Sequence, residues 1–320
     1  MSRNKLLPGG ALVLLVFALL TPSGAKGIDY ENLRNPIYAF RDWSIKDSCV
    51  AEKDGTFYIY FSAFYSDRGG MRCHISGVKT PDFKNFSEPL LLWNGEEGNW
   101  DGMCSPNISQ IGDTYYLTYN SWGEDDNHPN QLFFARSKDL ENWEKDLPLA
   151  SNLTAGKRSI DAAIIFHNNK YYLVWKEFQT PMMAVGEGLG PEGWKRLGTV
   201  PGGWFENGEF INIDGKWFLL ATERSHLPML RAIRDDGNAD DDWLNLGKFQ
   251  RLKIPQQKFN TIEKANCAFL SDRRDQDGYF YLLFSGRNQG FGHEGDAYFK
   301  LGISRSKDLV KWESAGRNRK

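Results

Sequence analysis

Five aromatic-rich strand pairs recur along the chain. They are DGTFYIYFSA from Asp54, GDTYYLTYNS from Gly112, NNKYYLVWKE from Asn168, DGKWFLLATE from Asp214 and DGYFYLLFSG from Asp277. Each opens with a polar or glycine turn and runs into a strand. A strand–turn–strand unit repeated at roughly 50-residue spacing specifies a β-propeller or another repeated β architecture. A second element follows several hairpins, of the form Ser/Thr-x-Asp-Leu/Phe-x-x-Trp/Phe. It occurs at Thr80 to Phe86, Ser137 to Trp143 and Ser306 to Trp312, with looser copies ending at Trp194 and Trp243. Its Asp can bond nearby backbone amides to make a tight turn, and its aromatic re-enters the packed layer.

Each repeat therefore reads as four antiparallel strands. The expected fold is all-β, a five-bladed β-propeller of four-stranded antiparallel blades at about 41–95, 96–150, 151–200, 201–255 and 256–320. The last repeat carries its own closing turn near Asp308, so it needs no N-terminal strand to complete it. A β-sandwich would have similar strand content, but five matched hairpins argue against it.

Residues 1–25 read as a signal peptide. Arg3 and Lys5 precede an apolar run from Ala11 to Leu20, and Ser23-Gly24-Ala25 offers small residues for cleavage. The run is too short for a comfortable membrane span, and no later stretch is long and apolar enough for stable membrane insertion. Residues 26–320 then form one domain, secreted or periplasmic. A net charge of -2 gives no reason to expect a nucleic-acid partner. The sequence carries no signature of oligomeric state. Cys49, Cys73, Cys104 and Cys267 fit neither a zinc site nor a CxxC motif. They read as buried free thiols, with room for one bridge.

The hairpins also supply a ruler. Asp47 and Asp161 each stand eight residues before the second turn residue, and Ser105 holds the same register in the second repeat. Glu206 stands one step earlier in the fourth. In a propeller the first strand of every blade lines the axis, so these side chains should meet at one mouth of the channel. Carboxylates crowded there repel one another and are costly to desolvate. They make sense as an acid/base set. Glycosidic hydrolysis needs one carboxylic acid to protonate the leaving oxygen and a carboxylate to activate water or attack directly. A third can hold the acid protonated through like-charge repulsion.

The segments KDSCVAEKDGTFYIYFSA around Asp47, SIDAAIIFHNNKYYLVW around Asp161 and WFENGEFINIDGKWFLLATE around Glu206 resemble glycoside hydrolase family 43 and related five-bladed furanosidases. The resemblance covers about residues 36–315. It implies Asp47 as general base, Asp161 as pKa modulator and orienting group, and Glu206 as general acid. It implies inverting hydrolysis of arabinose-, xylose- or galactose-containing glycans. It requires no cofactor and allows a structural calcium ion in the channel. The chain departs from the family pattern at Ser48, where the base is usually followed by Pro, and at Asn207-Gly208, where the acid is usually followed by Gly-Pro. Glu209 is a second candidate acid, expected on the other side of the strand from Glu206.

Trp43, Trp100 and Trp204 lie just before opening strands and are candidate sugar platforms, with core packing as the alternative. Arg224 and Arg287 follow the fourth and fifth hairpins. They suit binding of sugar hydroxyls or orientation of an acid, or else surface salt bridges. His293, in GFGHEGDAY, lies where family members often carry a channel histidine. No motif has the spacing of a catalytic metal site, so no metal ligand is assigned. No Gly-x-Ser-x-Gly elbow and no glycine-rich phosphate loop is present. The expected ligand is an oligo- or polysaccharide. The rival reading is a non-catalytic carbohydrate-binding propeller.

Overall fold

Each aromatic-rich segment pairs back on the strand before it. The computed structural model describes residues 27–40, 43–67, 70–123, 127–234, 236–290 and 298–316; the segment 1–25 read as a signal peptide lies outside them. The first repeat holds β1 (Ser44–Lys53), β2 (Thr56–Asp67) and β3 (Gly70–Thr80). The second holds β4 (Gly102–Ile111), β5 (Thr114–Trp122), β6 (Leu132–Ser137) and β7 (Glu144–Pro148). The third, after the helical turn α1 (Ser151–Thr154), holds β8 (Ser159–His167), β9 (Lys170–Glu177), β10 (Thr180–Gly186) and β11 (Trp194–Thr199). The fourth holds β12 (Glu206–Ile213), β13 (Lys216–Thr222), β14 (Pro228–Ala232) and β15 (Gln250–Arg251). The fifth holds β16 (Glu263–Arg273), β17 (Tyr279–Arg287), β18 (Lys300–Ser306) and β19 (Trp312–Ser314), with the helical turn α2 (Arg274–Asp277) set inside its hairpin.

The turns explain the hairpins. Asp54-Gly55, Asn168-Asn169 and Asp214-Gly215 all have both residues at positive φ. That is the two-residue turn whose twist matches antiparallel strands, and Asp, Asn and Gly tolerate it best. The Ser/Thr-x-Asp elements behave as read. Thr80 Oγ1 accepts from the Phe83 amide at 2.9 Å and Asp82 Oδ1 from the Asn85 amide at 2.8 Å. Ser137 and Asp139 repeat the pattern at 2.9 and 2.7 Å. Trp194, Trp243 and Trp312, which close such elements, are buried.

The third, fourth and fifth repeats are separate four-stranded antiparallel sheets, while the first two join into one seven-stranded sheet. The join is a single parallel pair, Cys73 with Gly102. The missing fourth strand of the first repeat is an irregular one. Ser87, Leu90 and Trp93 donate to the carbonyls of Lys79, Gly77 and Ile75 along the edge of β3, but Pro89 has no N–H to continue the ladder. The innermost strands pack in a closed cycle, β1 on β4, β4 on β8, β8 on β12, β12 on β16 and β16 on β1. This all-β arrangement is consistent with a propeller. β19 pairs with Ser304 to Ser306 of β18, and the N-terminal segment completes the same edge through the Tyr38–Leu301 bridge. The last sheet thus closes with its own strand and a piece of the N-terminal segment together. Aromatic side chains fill the space between sheets; Tyr172, for example, stacks on Trp243 at 4.2 Å.

Candidate active site

Every inner strand carries an irregularity near its start. One residue there adopts a left-handed backbone: Asp47 (φ 54°), Ser105 (55°), Asp161 (59°), Asn207 (49°) and Cys267 (48°). The antiparallel register slips at each of these points. Such bulges re-aim side chains, and non-glycine residues held at positive φ cluster at functional sites. These five residues line one narrow neck together with Ser48, Ala162, Gly208 and Ala268. Its volume is about 10 Å³, roughly one water molecule rather than a sugar ring. Glu206, one residue before Asn207, does not line the neck, and its side chain is 28% exposed.

A second ring of polar residues backs the first. Ser62, Asn120, Lys176, Thr222 and Ser285 are the strand partners of Lys46, Cys104, Ile160, Glu206 and Asn266. All five are buried. Ser62 Oγ donates to Asp47 Oδ2 at 2.6 Å and accepts from the Ser105 amide at 2.8 Å. Asn120 Oδ1 accepts from the Asp161 amide at 3.0 Å. Lys176 Nζ stands 3.2 Å from Asp161 Oδ2 and 3.4 Å from Glu206 Oε1, tying these two acids together.

The electrostatics differ from acid to acid. Burial pushes Asp47 upward, and the Asp161 charge adds to that. Lys46 and hydrogen bonds from Cys267 and Ser62 offset the rise only in part. Asp161 is equally buried, but Lys176, Ser105 and Lys46 outweigh the burial and hold its carboxyl below the usual range. Burial would push Lys176 down, yet Asp161 and Glu206 keep it a firm ammonium. Lys46 likewise stays charged, facing Cys267, Asp47, Glu206 and Asp161 together. Three carboxylates and two ammoniums thus gather at one end of the inner strands.

Of the candidate platforms, Trp204 adjoins this set. Lys176 Nζ lies 5.2 Å and Arg224 Cζ 5.4 Å from its ring, and its Nε1 donates to Gln179 at 2.6 Å. Trp43 is stacked on Phe40 at 4.1 Å and meets His74 edge-on. Trp100 is buried, stacked on His128 at 3.4 Å, and lines side cavities with Trp93 and Arg72, which do not include the acids. Packing has taken a face of each of those two rings. Arg287 pairs with Glu263 at 3.1 Å and lies over Phe299, whose ring also sits 5.5 Å from Lys46 Nζ. Glu263 in turn contacts His226 Nδ1. His293 lies outside the described residues.

Glu209 goes elsewhere. It is buried, accepts the Leu270 amide at 2.8 Å, and lines a cavity of about 530 Å³ further along the inner strands. Burial, with no cation beside it, pushes its carboxyl well above the usual range. Among the described residues, no group of three or more His, Cys, Asp or Glu is placed to hold a metal ion.

Sequence reasoning missed Lys46, Lys176, Asn120 and Cys267. The second ring was visible as the polar residue ending each aromatic run: FYIYFS, YYLTYN, YYLVWK, WFLLAT and FYLLFS. Cys267 escaped the ruler because α2 lengthens the fifth hairpin, which puts it eleven residues before Gly278 rather than eight.

Solved structures share this fold. The α-L-arabinofuranosidase from Lactobacillus brevis superposes with a TM-score of 0.64 at 11% identity, covering 91% of this chain and 98% of that one. A thermostable family-43 glycoside hydrolase gives 0.59 at 14%, covering 89% and 96%. A structure from GH130, a family of mannoside phosphorylases that contains glycoside hydrolases targeting β-1,2 mannosidic linkages in Candida mannan, gives 0.62 at 16%, covering 87% and 88%. At these identities the likeness speaks to fold. No curated protein matches the sequence. No helix among the described residues is long and apolar enough to cross a membrane. The sequence profile of glycosyl hydrolases family 43 matches residues 33–226, which include Asp47, Asp161 and Glu206; the chain belongs to that family and is a glycosidase.

Proposed function

We propose that the protein is an exported, inverting glycoside hydrolase built as a five-bladed β-propeller, acting on arabinose-, xylose- or galactose-type bonds in oligo- or polysaccharides. The carrying observation is the gathering of Asp47, Asp161 and Glu206 around Lys46 and Lys176. In this reading residues 26–320 form one catalytic domain whose sheets are the blades. Asp47, deep in the water-sized neck, takes a proton from the attacking water. Glu206, nearer solvent, protonates the departing oxygen. Asp161 stays ionised, held by Lys176, and orients the acid. The sugar ring lies above the neck beside Trp204, with Arg224 within reach of its hydroxyls. The bond to the leaving oxygen breaks as the water oxygen bonds to the anomeric carbon from the opposite face, which inverts the centre.

The test is a panel of aryl arabinosides, xylosides and galactosides and the matching polysaccharides, run with wild type and Glu206→Gln. Proton NMR of the first-formed sugar should show the inverted anomer. In a crystal structure, the Asp47 and Glu206 carboxyls should stand about 6.5–9.5 Å apart. A retained anomer, or a separation near 5 Å, would replace the inverting mechanism with a covalent one.

A further inference from the structure

The buried thiols behind the acid ring are placed for a covalent link. Cys73 makes the single parallel contact between the strands of the first two repeats, opposite Gly102. A side chain at Gly102 would collide with the Cys73 carbonyl, so the backbones approach closely there. Cys104, two residues on, points to the same side as Gly102 would. Cys73 and Cys104 are both buried and share one small apolar cluster with Phe64, Met71 and Trp122. Their thiols interact side chain to side chain. Cys49 and Cys267 belong to neither that cluster nor that contact.

We propose that Cys73 and Cys104 form a disulfide that joins the first two repeats. The two thiols lose two protons and two electrons to a disulfide oxidant, such as oxidised glutathione or an oxidising thiol–disulfide exchange protein, and that disulfide is reduced to two thiols. The bond adds a covalent link where the two sheets are joined by a single parallel backbone pair. It also lies two hydrogen bonds from each of the buried aspartates. Asn120 Nδ2 donates to Cys104 Sγ at 3.2 Å, while Asn120 Oδ1 takes the Asp161 amide. The next residue, Ser105, donates its amide to the Ser62 hydroxyl that holds Asp47. The cross-link therefore pins the scaffold from which both acids hang. The inference stands apart from the choice of substrate.

The full chain is produced in a reducing cytosol, refolded in a mixture of reduced and oxidised glutathione, alkylated and digested. A second sample is exported through an oxidising bacterial periplasm and needs no refolding. Mass spectrometry should find one cross-linked pair of peptides carrying Cys73 and Cys104, with Cys49 and Cys267 alkylated. Dithiothreitol should lower the thermal midpoint of wild type by several degrees and leave that of Cys73→Ala unchanged. Four alkylated cysteines in both samples, or a bridge through Cys49 or Cys267, would overturn the assignment.

Discussion

Asp161 and Glu209 are both buried carboxyl groups on inner strands, yet they titrate in opposite directions. Asp161 sits where the strands begin, against Lys176, and is held below its usual range. Glu209 sits two residues beyond the ring, with a backbone amide from Leu270 and no cation, and is pushed far up. One end of the channel thus holds three acids and two lysines around a water-sized neck. The other opens into a larger cavity with aliphatic walls from Val50, Ile108, Ile165 and Ile211. Cavity size alone would point away from the acids. For these two equally buried groups, the difference is the lysine beside one of them.

The sharpest way to break this comparison is to remove the acids one at a time. Asp47→Asn and Glu206→Gln should each lower kcat/KM on glycan substrates by about 10²–10⁴-fold. The Glu206→Gln loss should shrink on aryl glycosides, whose leaving group needs little protonation. Glu209→Gln should leave kcat/KM unchanged. Equal losses at Glu206 and Glu209 would erase the distinction between the two ends.

Lys176→Met comes next. It strands the buried Asp161 charge, so unfolding in urea should show a loss of about 3–5 kcal/mol. Lys176→Arg should recover most of it.

The pH dependence of stability sharpens the contrast. Asp161 has a lowered folded value. It contributes stability above the unfolded aspartate value of about 3.9, and that contribution fades as pH falls through the lower folded value. Glu209 has a raised folded value, so the folded state holds its proton longer. It costs stability progressively as pH rises above the unfolded glutamate value of about 4.3. Glu209→Gln keeps an acceptor for the Leu270 amide. Its stability relative to wild type should be level near pH 4 and should improve toward pH 8 in urea titrations.

The smallest effects should separate the tryptophans. Trp204→Ala should raise KM several-fold. Trp43→Phe should leave KM unchanged and read out in thermal stability alone, since that ring is packed on Phe40.

Much of the site was legible because the repeats are in register. Asp47, Ser105 and Asp161 fall at one distance from their hairpin turns, and the structure gives all three the same left-handed backbone. Glu206 falls one step earlier, just before Asn207, and does not line the neck. The ruler failed in the fifth repeat, where α2 adds residues to the turn. That repeat also lies beyond the region matched by the family profile. Trp43 and Trp100 sit just before opening strands as Trp204 does, but what covers a ring comes from distant parts of the chain.

The sequence by itself determined the repeat, the turns, the strand count of most sheets and the acids, because turn chemistry and two-residue alternation act over a few neighbours. Only the tertiary structure decided which acid has a cation beside it, which indole sits beside the acids, and that Lys176 reaches from one repeat to an acid of the next. Those outcomes depend on separate inner strands meeting at an axis, and no local pattern encodes that meeting.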